Sequence, residues 1–390
     1  MLFVGIDVAK RKHDCSILDS NGVILSQFSF DNSLSGFNSF ISSISSFDDS
    51  NFSDLKVGFE ATGHYSYNLE KFLTSFPFQL FRFNPLATNL KRKAQSLRKT
   101  KTDKIDSLFI AFLLFEQNTP FFPEIPYFSN LKILTRHRFR LMQYSSKLKV
   151  SFNRNIDIVF PEFPSLVSSI QQTSVYFLFL SFPSANSIAN SNITKLTNIL
   201  SKASRGQLKK QHALNIKKNA TSSIGSYSLF LEFEIQQNIR LILQLKKEID
   251  ILDKKIVEIM KIVPTPILSI PGISFTLASS IIAEIGDIHK FESPAKLLAF
   301  AGLEPSTNQS GDSISNTNAR MVKRGSTYLR WAIMNAARLV ATKDHTFTLF
   351  LAKKRAEGKP FFVALSHVAK KLLRVIFHLL KTKQIFIPQS

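Results

Sequence analysis

Apolar and polar positions in the first hundred residues alternate between two periods. LFVGIDVA (2–9) is an almost unbroken apolar run and reads as a buried strand. HDCSILD (13–19) and VILSQFSF (23–30) alternate around the turn DSNG and read as two further strands. Helical spacing takes over at 33–46, and LKVGFEA (55–61) returns to a strand. GHYSYNLEKFLTSF (63–76) is a helix, and FQLFRF (78–83) is a fifth strand. NPLATNLKRKA then opens another helix with proline in its first turn.

The order β-β-β-α-β-α-β-α places three antiparallel strands before α/β crossovers, which is the ribonuclease H topology with a mixed sheet. From about 128 the pattern becomes helical. It is interrupted by the polar stretch SANSIANSNITKLTNILSKASRGQLKKQ (184–211), which reads as an insertion without clear order. LILQLKKEIDILDKKIVEIM, within 230–262, carries apolar residues at helical spacing and alternating charges. It predicts one long helix in a coiled-coil arm, ended by Pro264 and Pro266. LSIPGISFTLASSIIAEIGDI then puts a Pro-Gly turn between helical stretches, as in a helix-hairpin-helix, where Gly272 would let backbone N–H groups meet a phosphate. An ordinary helix turn reads the same way. The expected architecture is α/β plus α: a RuvC/ribonuclease H-like domain (1–127), a helical linker and arm with the polar insertion (128–262), and a mainly helical C-terminal domain (263–390).

Charge changes the picture more than composition does. Fifty Lys and Arg against 28 Asp and Glu leave +22, a field suited to a polyanion. From Lys261 onward 18 basic and 7 acidic residues still leave an excess, so both ends of the chain are basic. No apolar run approaches the roughly 18 to 20 residues of a membrane span. MLFVGIDVAKRKHD also places its apolar stretch before its charges, the reverse of a secretory signal, so a cytoplasmic protein with no membrane partner is expected. The single cysteine, Cys15, excludes a disulfide framework and a cysteine zinc cluster, and reads as a buried strand residue. Thirty-seven Phe follow the same compositional bias as the abundant Ser, Asn, Ile and Lys, so their number says nothing about base stacking.

Candidate chemistry begins with acids in this basic setting. Asp7 ends the first predicted strand and Glu60 the fourth, and in a ribonuclease H sheet these strands are adjacent and parallel. Asp103 and Asp106, three apart in KTDKIDS, share one helical face. Four converging carboxylates would repel one another unless they hold a hard cation: magnesium, or manganese in its place. Two such ions can clamp the attacking and leaving oxygens of a phosphodiester. Lys91, Arg92, Lys93, Arg98, Lys99 and Lys101 would then meet the phosphate backbone. Taken singly, DxxD among lysines also suits a salt-bridged helix face, and Glu60 also suits the approach to a helix cap at Thr62.

GIDVAK, FEATGHY, FNP and KTDKIDS, followed by LSIPGIS, LLAFAGLEPSTNQSG and KRGSTYLRWAIMNAA, resemble the IS110-type (IS116/IS110/IS902) transposases at both ends of the chain. The resemblance implies a DEDD set in a RuvC-like domain, falling on Asp7, Glu60, Asp103 and Asp106, and a nucleophilic serine in GLEPSTNQSGDS. Ser310 fits the family's Ser-Gly, with Ser306 and Ser313 as rivals. Beside such a serine, Lys323 and Arg324 in MVKRGSTYLR suit a contact to the flanking phosphate, and equally suit solvated charges at a helix start. The resemblance further implies donor and target DNA and a structured guide RNA, and exchange of strands would need two or more cleavages at once, hence a homo-oligomer, dimer or tetramer. Two features depart from the family: the 160–225 insertion is long, and Ser107 stands where alanine is usual. A junction-resolving nuclease that uses water, and a non-catalytic nucleic-acid scaffold, are the rival readings.

Overall fold

The computed structural model describes residues 1–47, 52–61, 63–85, 88–89, 103–116, 126–304, 309–310, 313–314 and 321–388. The side chains of Asp103, Pro126, Gln309, Ser310, Ser313 and Ile314 are outside that description. The chain forms two compact units, residues 1–123 and 124–390.

In the first unit, β1 (Leu2–Asp7), β2 (Lys12–Leu18), β3 (Ile24–Asp31), β4 (Leu55–Glu60) and β5 (Gln79–Phe83) form one sheet in the order β3-β2-β1-β4-β5. The pairs β1/β2 and β2/β3 are antiparallel, while β1/β4 and β4/β5 are parallel. This mixed α/β sheet fits the predicted topology. Alternation assigns the faces. Val4, Ile6, Ile17, Val57 and Phe59 point to one side, where α1 (Leu34–Ser45) and α2 (Ser66–Leu73) cover them with Phe37, Phe40, Ile44, Leu69 and Leu73. The spacing of Phe37, Phe40 and Ile44 gives α1 its apolar stripe, and Ser33 caps it by accepting the Gly36 N–H at 3.1 Å. Each such buried side chain contributes about 1.5–3 kcal/mol. Cys15 lies in this core as expected, its thiol pKa pushed up by burial and by neighbouring Asp14.

The opposite face carries Phe3, Leu18 and Phe81 against Ala111 and Leu114, which belong to or follow α3 (Asp103–Leu113). α2 begins only at Ser66 and has no side-chain cap at Tyr65.

Two 34-residue helices dominate the second unit: α4 (Pro126–Val159) and α9 (Leu229–Ile262). They run antiparallel. Arg138, early in α4, makes a two-pronged ion pair with Asp253, late in α9, at 2.5 and 3.1 Å. Ser151, late in α4, donates to Glu234, early in α9, at 2.9 Å.

The stretch expected to lack clear order is folded, which corrects that reading. α5 (Thr173–Ser181), α6 (Ala185–Ala189), α7 (Ile193–Ala203) and α8 (Lys210–Thr221) form a cap whose core includes Leu196, Leu200, Ala213 and Ile216. That core continues into Phe152 and Ile156 of α4 and Ile235, Ile239 and Ile242 of α9. Ser184 and Asn192, which raised the polarity of the sequence, are helix N-caps. The cap leaves and rejoins the arm at adjacent points. The Ser226 N–H donates to the Ile158 carbonyl at 2.9 Å, and Gly225 sits so close that a Cβ would lie 2.2 Å from the Val159 oxygen.

A second core in this unit is built by α10 (Phe275–Ile285), α11 (Pro294–Ala301), α12 (Thr327–Lys343), α13 (His345–Ala356) and α14 (Phe361–Thr382). Among the described residues no helix is long and apolar enough to cross a membrane.

Candidate catalytic acids and serine loop

Asp7 and Glu60 end β1 and β4, one step past the parallel pair Ile6 and Phe59, on the face that α3 covers. Two glycines, each two residues before an acid, open that face: Gly5 beneath α3 and Gly58 beneath Leu114 of the turn that follows it. Gly5 and Gly58 are register partners. A Cβ on Gly5 would lie 2.2 Å from the Ser107 carbonyl oxygen and 2.3 Å from the Ala111 nitrogen. One on Gly58 would meet Phe83 at 2.7 Å and Leu114 at 2.8 Å. Period two puts glycine and acid on the same face, so the repeated pattern VGID and VGFE floors a trough and leaves a carboxylate at its end.

Ser107 fixes the helix in this trough. Its hydroxyl is fully buried against the Ser16 hydroxyl at 2.8 Å, and Gln27 donates to Ser16 at 2.9 Å. The departure from alanine is thus matched by a hydrogen-bonding partner on β2. Glu60 accepts a hydrogen bond from the Thr88 hydroxyl at 2.8 Å. Asp106 lies in the first turns of α3, and Asp7 and Asp106 both have interaction partners. Asp14, absent from the predicted set, is the cross-strand partner of Asp7 and accepts from Ser29 at 2.7 Å. The alternation of HDCSIL marks Asp14 as sharing the face of Asp7.

The acids supply only hard oxygen donors, a chemistry that fits a divalent cation of the magnesium class. Among the described residues, however, no three His, Cys, Asp or Glu side chains are gathered closely enough to hold one ion. Lys91, Arg92, Lys93, Arg98, Lys99 and Lys101 lie outside the described residues, as do Thr62 and Ser306.

In the second unit, Ser310 ends a two-residue strand β6 (Gln309–Ser310), which pairs antiparallel with β7 (Ser313–Ile314). Ser310 and Ser313 are register partners. The segment is closed at its base. The Val322 N–H donates to the Glu304 carbonyl at 2.9 Å, and one guanidinium nitrogen of Arg330 donates to the Ala301 carbonyl at 3.3 Å and the Lys323 carbonyl at 3.2 Å. Arg330 therefore joins the chain before the serine segment to the chain after it.

Gly302 (φ +65°) and Gly325 (φ +116°) permit the close approach. Their Cβ atoms would fall 2.5 Å from the Arg324 carbonyl oxygen and 2.3 Å from the Phe300 carbonyl oxygen. Lys323 and Arg324 are exposed on this turn. Behind it, Ser326 caps α12 through the Leu329 N–H at 3.1 Å and donates to buried Glu284 at 2.7 Å. Glu284 accepts two bonds from Arg136, at 2.6 and 3.0 Å, and the Arg136 guanidinium lies 4.6 Å from the Tyr328 ring centre. Sequence reasoning missed Arg330, Glu284 and Arg136, whose partners are distant in the chain.

Gly272 adopts φ +96°, and a Cβ there would come within 3.0 Å of the α12 backbone at Leu339 and Val340. Packing thus demands glycine at this turn. The helical stretch before it is a single tight turn, Pro266–Ser269, because Pro264 and Pro266 break the preceding helix.

Two family profiles match the chain. Residues 4–161 match the transposase family of the DEDD IS110 type, and residues 265–352 match the transposase IS116/IS110/IS902 family. The 43.6 kDa protein of insertion element IS110 from Streptomyces coelicolor is 32% identical over 123 residues, covering 30% of this chain and 29% of that protein. The mini-circle protein of IS117 from the same organism is 22% identical over 411 aligned positions, covering all of this chain and 96% of the relative. The transposase for insertion sequence element IS1111A from Coxiella burnetii is 39% identical over 70 residues, or 18% of this chain and 19% of its own length. The chain thus spans under a third of the IS110 and IS1111A relatives and nearly all of the IS117 one. With family sequence at both ends and a mixed sheet that carries its acids on one face, the chain belongs to the IS110 family of transposases.

Proposed function

We propose that the chain is the DNA transposase of its own insertion element, a recombinase that breaks and rejoins phosphodiesters by metal-assisted attack of Ser310. The observation that carries this reading is the glycine-floored trough, which seats α3 on the face bearing Asp7 and Glu60 in a chain that matches this family at both ends. Asp7, Glu60, Asp103 and Asp106 are the ligands assigned to magnesium, or to manganese in its place. When bound, such an ion withdraws charge from phosphate oxygens and favours deprotonation of an oxygen nucleophile.

The remaining steps belong to the chain. Thr88 orients Glu60, and the Ser16–Ser107 bond holds the turn that carries Asp106. The Ser310 oxygen bonds to phosphorus as the sugar oxygen leaves with its electron pair and takes up a proton. The serine phosphodiester retains the energy needed for rejoining. Lys91, Arg92, Lys93, Arg98, Lys99, Lys101, Lys323 and Arg324 are assigned to phosphate contacts, and the helix-hairpin-helix-like turn at Gly272 to a backbone contact. A structured guide RNA selects donor and target DNA, a homo-oligomer of two or four copies supplies concerted cuts, and the reaction takes place in the cytoplasm.

Denaturing electrophoresis of protein incubated with guide, labelled DNA and magnesium tests the reading. A protease-sensitive protein–DNA band, lost together with cleavage in Ser310→Ala but kept in Ser306→Ala and Ser313→Ala, is expected. Cleavage without the band means a water-using nuclease. Tight binding without cleavage, with a verified guide, means a scaffold. Asp7→Asn should also weaken manganese binding measured by electron paramagnetic resonance, while leaving the fold intact.

A further inference from the structure

We infer that the β1–β2 turn and the start of α3 form a seat for the phosphodiester backbone of the nucleic acid brought to the acids. This rests on the proposed reading only for the identity of that nucleic acid. Lys10, Arg11 and Lys12 on the turn and Lys104 on α3 line one open cavity of about 700 Å³, with Asp14 and Ser29 at its wall. Other cations of the chain are engaged by the fold: Arg136 pairs with Glu284 and Arg138 with Asp253, and Arg330 donates to backbone carbonyls. None of these four makes an ion pair among the described residues, although Asp14 shares the cavity. The Asp14 carboxylate instead accepts from Ser29 at 2.7 Å.

The turn is also held in place beforehand. Asn32 donates its side-chain amide to the Lys10 carbonyl at 3.2 Å and its backbone N–H to the Arg11 carbonyl at 2.8 Å. The Ala9 N–H donates to Nδ1 of His13, which is fully buried between the Phe30 and Phe37 rings. Fixing the backbone in advance lowers the ordering cost that a flexible basic loop would meet on binding. Location selects the ligand. Asp14 is the cross-strand partner of Asp7, so a phosphate held here belongs to a strand that passes the acids. Apart from Ala9, every residue lining the cavity carries a charged or hydroxyl group, and basic groups outnumber the single acid, which suits a phosphate chain.

The test uses the full chain and single-stranded DNA and RNA 20-mers of one sequence, with chelator present so that neither metal nor Ser310 chemistry enters. Lys10→Gln/Arg11→Gln/Lys104→Gln should lower affinity on the order of tenfold and flatten the salt slope by about 2, from about 0.7 per lost contact on single strands. Lys246→Gln/Lys247→Gln/Lys254→Gln, an equal charge change at exposed positions of α9, should leave both nearly unchanged. Asn32→Ala, which removes the side-chain bond to the Lys10 carbonyl and keeps every charge, should give an intermediate loss. Loss with DNA assigns the seat to a DNA strand, and loss confined to RNA assigns it to the guide. A wild-type slope in the cavity variant, or an equal loss in the α9 control, overturns the proposal. Failure to form the serine adduct would leave this result standing, because binding is read without cleavage.

Discussion

The acids of the first unit and the serine segment of the second are fixed by different means. On the sheet, side chains are placed by strand period, and glycines remove bulk so that a helix can settle beside them. At the serine segment, backbone carbonyls are tied by one arginine. The first arrangement is set by local spacing and close packing, whereas the second depends on a residue some twenty positions away from the serine it steadies. A packed trough should therefore fail through stability, and a stapled segment through precision.

The largest effect expected is at Gly5. Gly5→Ala places a methyl 2.2 Å from a backbone oxygen of α3, so helix or strand must shift. Overpacking of this kind costs typically 1–3 kcal/mol and more where backbone cannot yield, so about 3 kcal/mol is expected in the first unit. Urea unfolding followed by circular dichroism would measure it, and an unchanged midpoint would remove the trough from the account.

Next comes Arg330→Ala, which should leave nucleic-acid affinity near wild type while slowing single-turnover cleavage by on the order of 100-fold, the scale of a 1 Å misplacement. Arg330→Lys should recover only part of the rate, since an ammonium lacks the planar guanidinium that holds both carbonyls here. If both variants cut at the wild-type rate, the contrast between the two regions collapses.

These cases show what the sequence discloses. Strand ends, the shared face of Asp7 and Glu60, and the long helix at 229–262 follow from periods of 2 and 3.6, which are local properties. Asp14 is legible by the same alternation, which sets it opposite Asp7, although it lies outside the family's four acids. Arg330, Thr88 and the Arg136–Glu284 pair left no signal, because their roles arise from partners brought together by folding. The polar stretch at 184–211 misled for a physical reason: serine and asparagine at helix starts raise polarity while ordering the backbone.

A smaller effect is expected at Ser326, which caps α12 and bonds Glu284. Ser326→Ala should lower stability of the second unit by about 1 kcal/mol, seen as a reduced melting midpoint, with Thr in its place retaining most of it. The smallest effect separates the units by pH. Burial lowers the His13 pKa, opposed by Asn32 and Asp14, so the unfolded chain takes up the proton more readily than the folded one. Its contribution is present above the unfolded value of about 6.5 and is lost as pH falls toward the folded value. The midpoint of the first unit should therefore drop between pH 7 and pH 5.5 more in wild type than in His13→Phe. Equal slopes would show that the ring does not report on the turn above it.

The closed ends of the helical cap bear on how such a chain can change by descent. Because Ile158 and Ser226 are bonded neighbours, the segment between them can lengthen or shorten without altering how α4 meets α9. The same segment shelters Phe152, Ile156, Ile235 and Ile239, so deletion alone would leave a sticky tip. Length here is heritable freedom bound to a condition: a lineage that sheds the cap must make the end of its arm polar in the same step, or find it another cover.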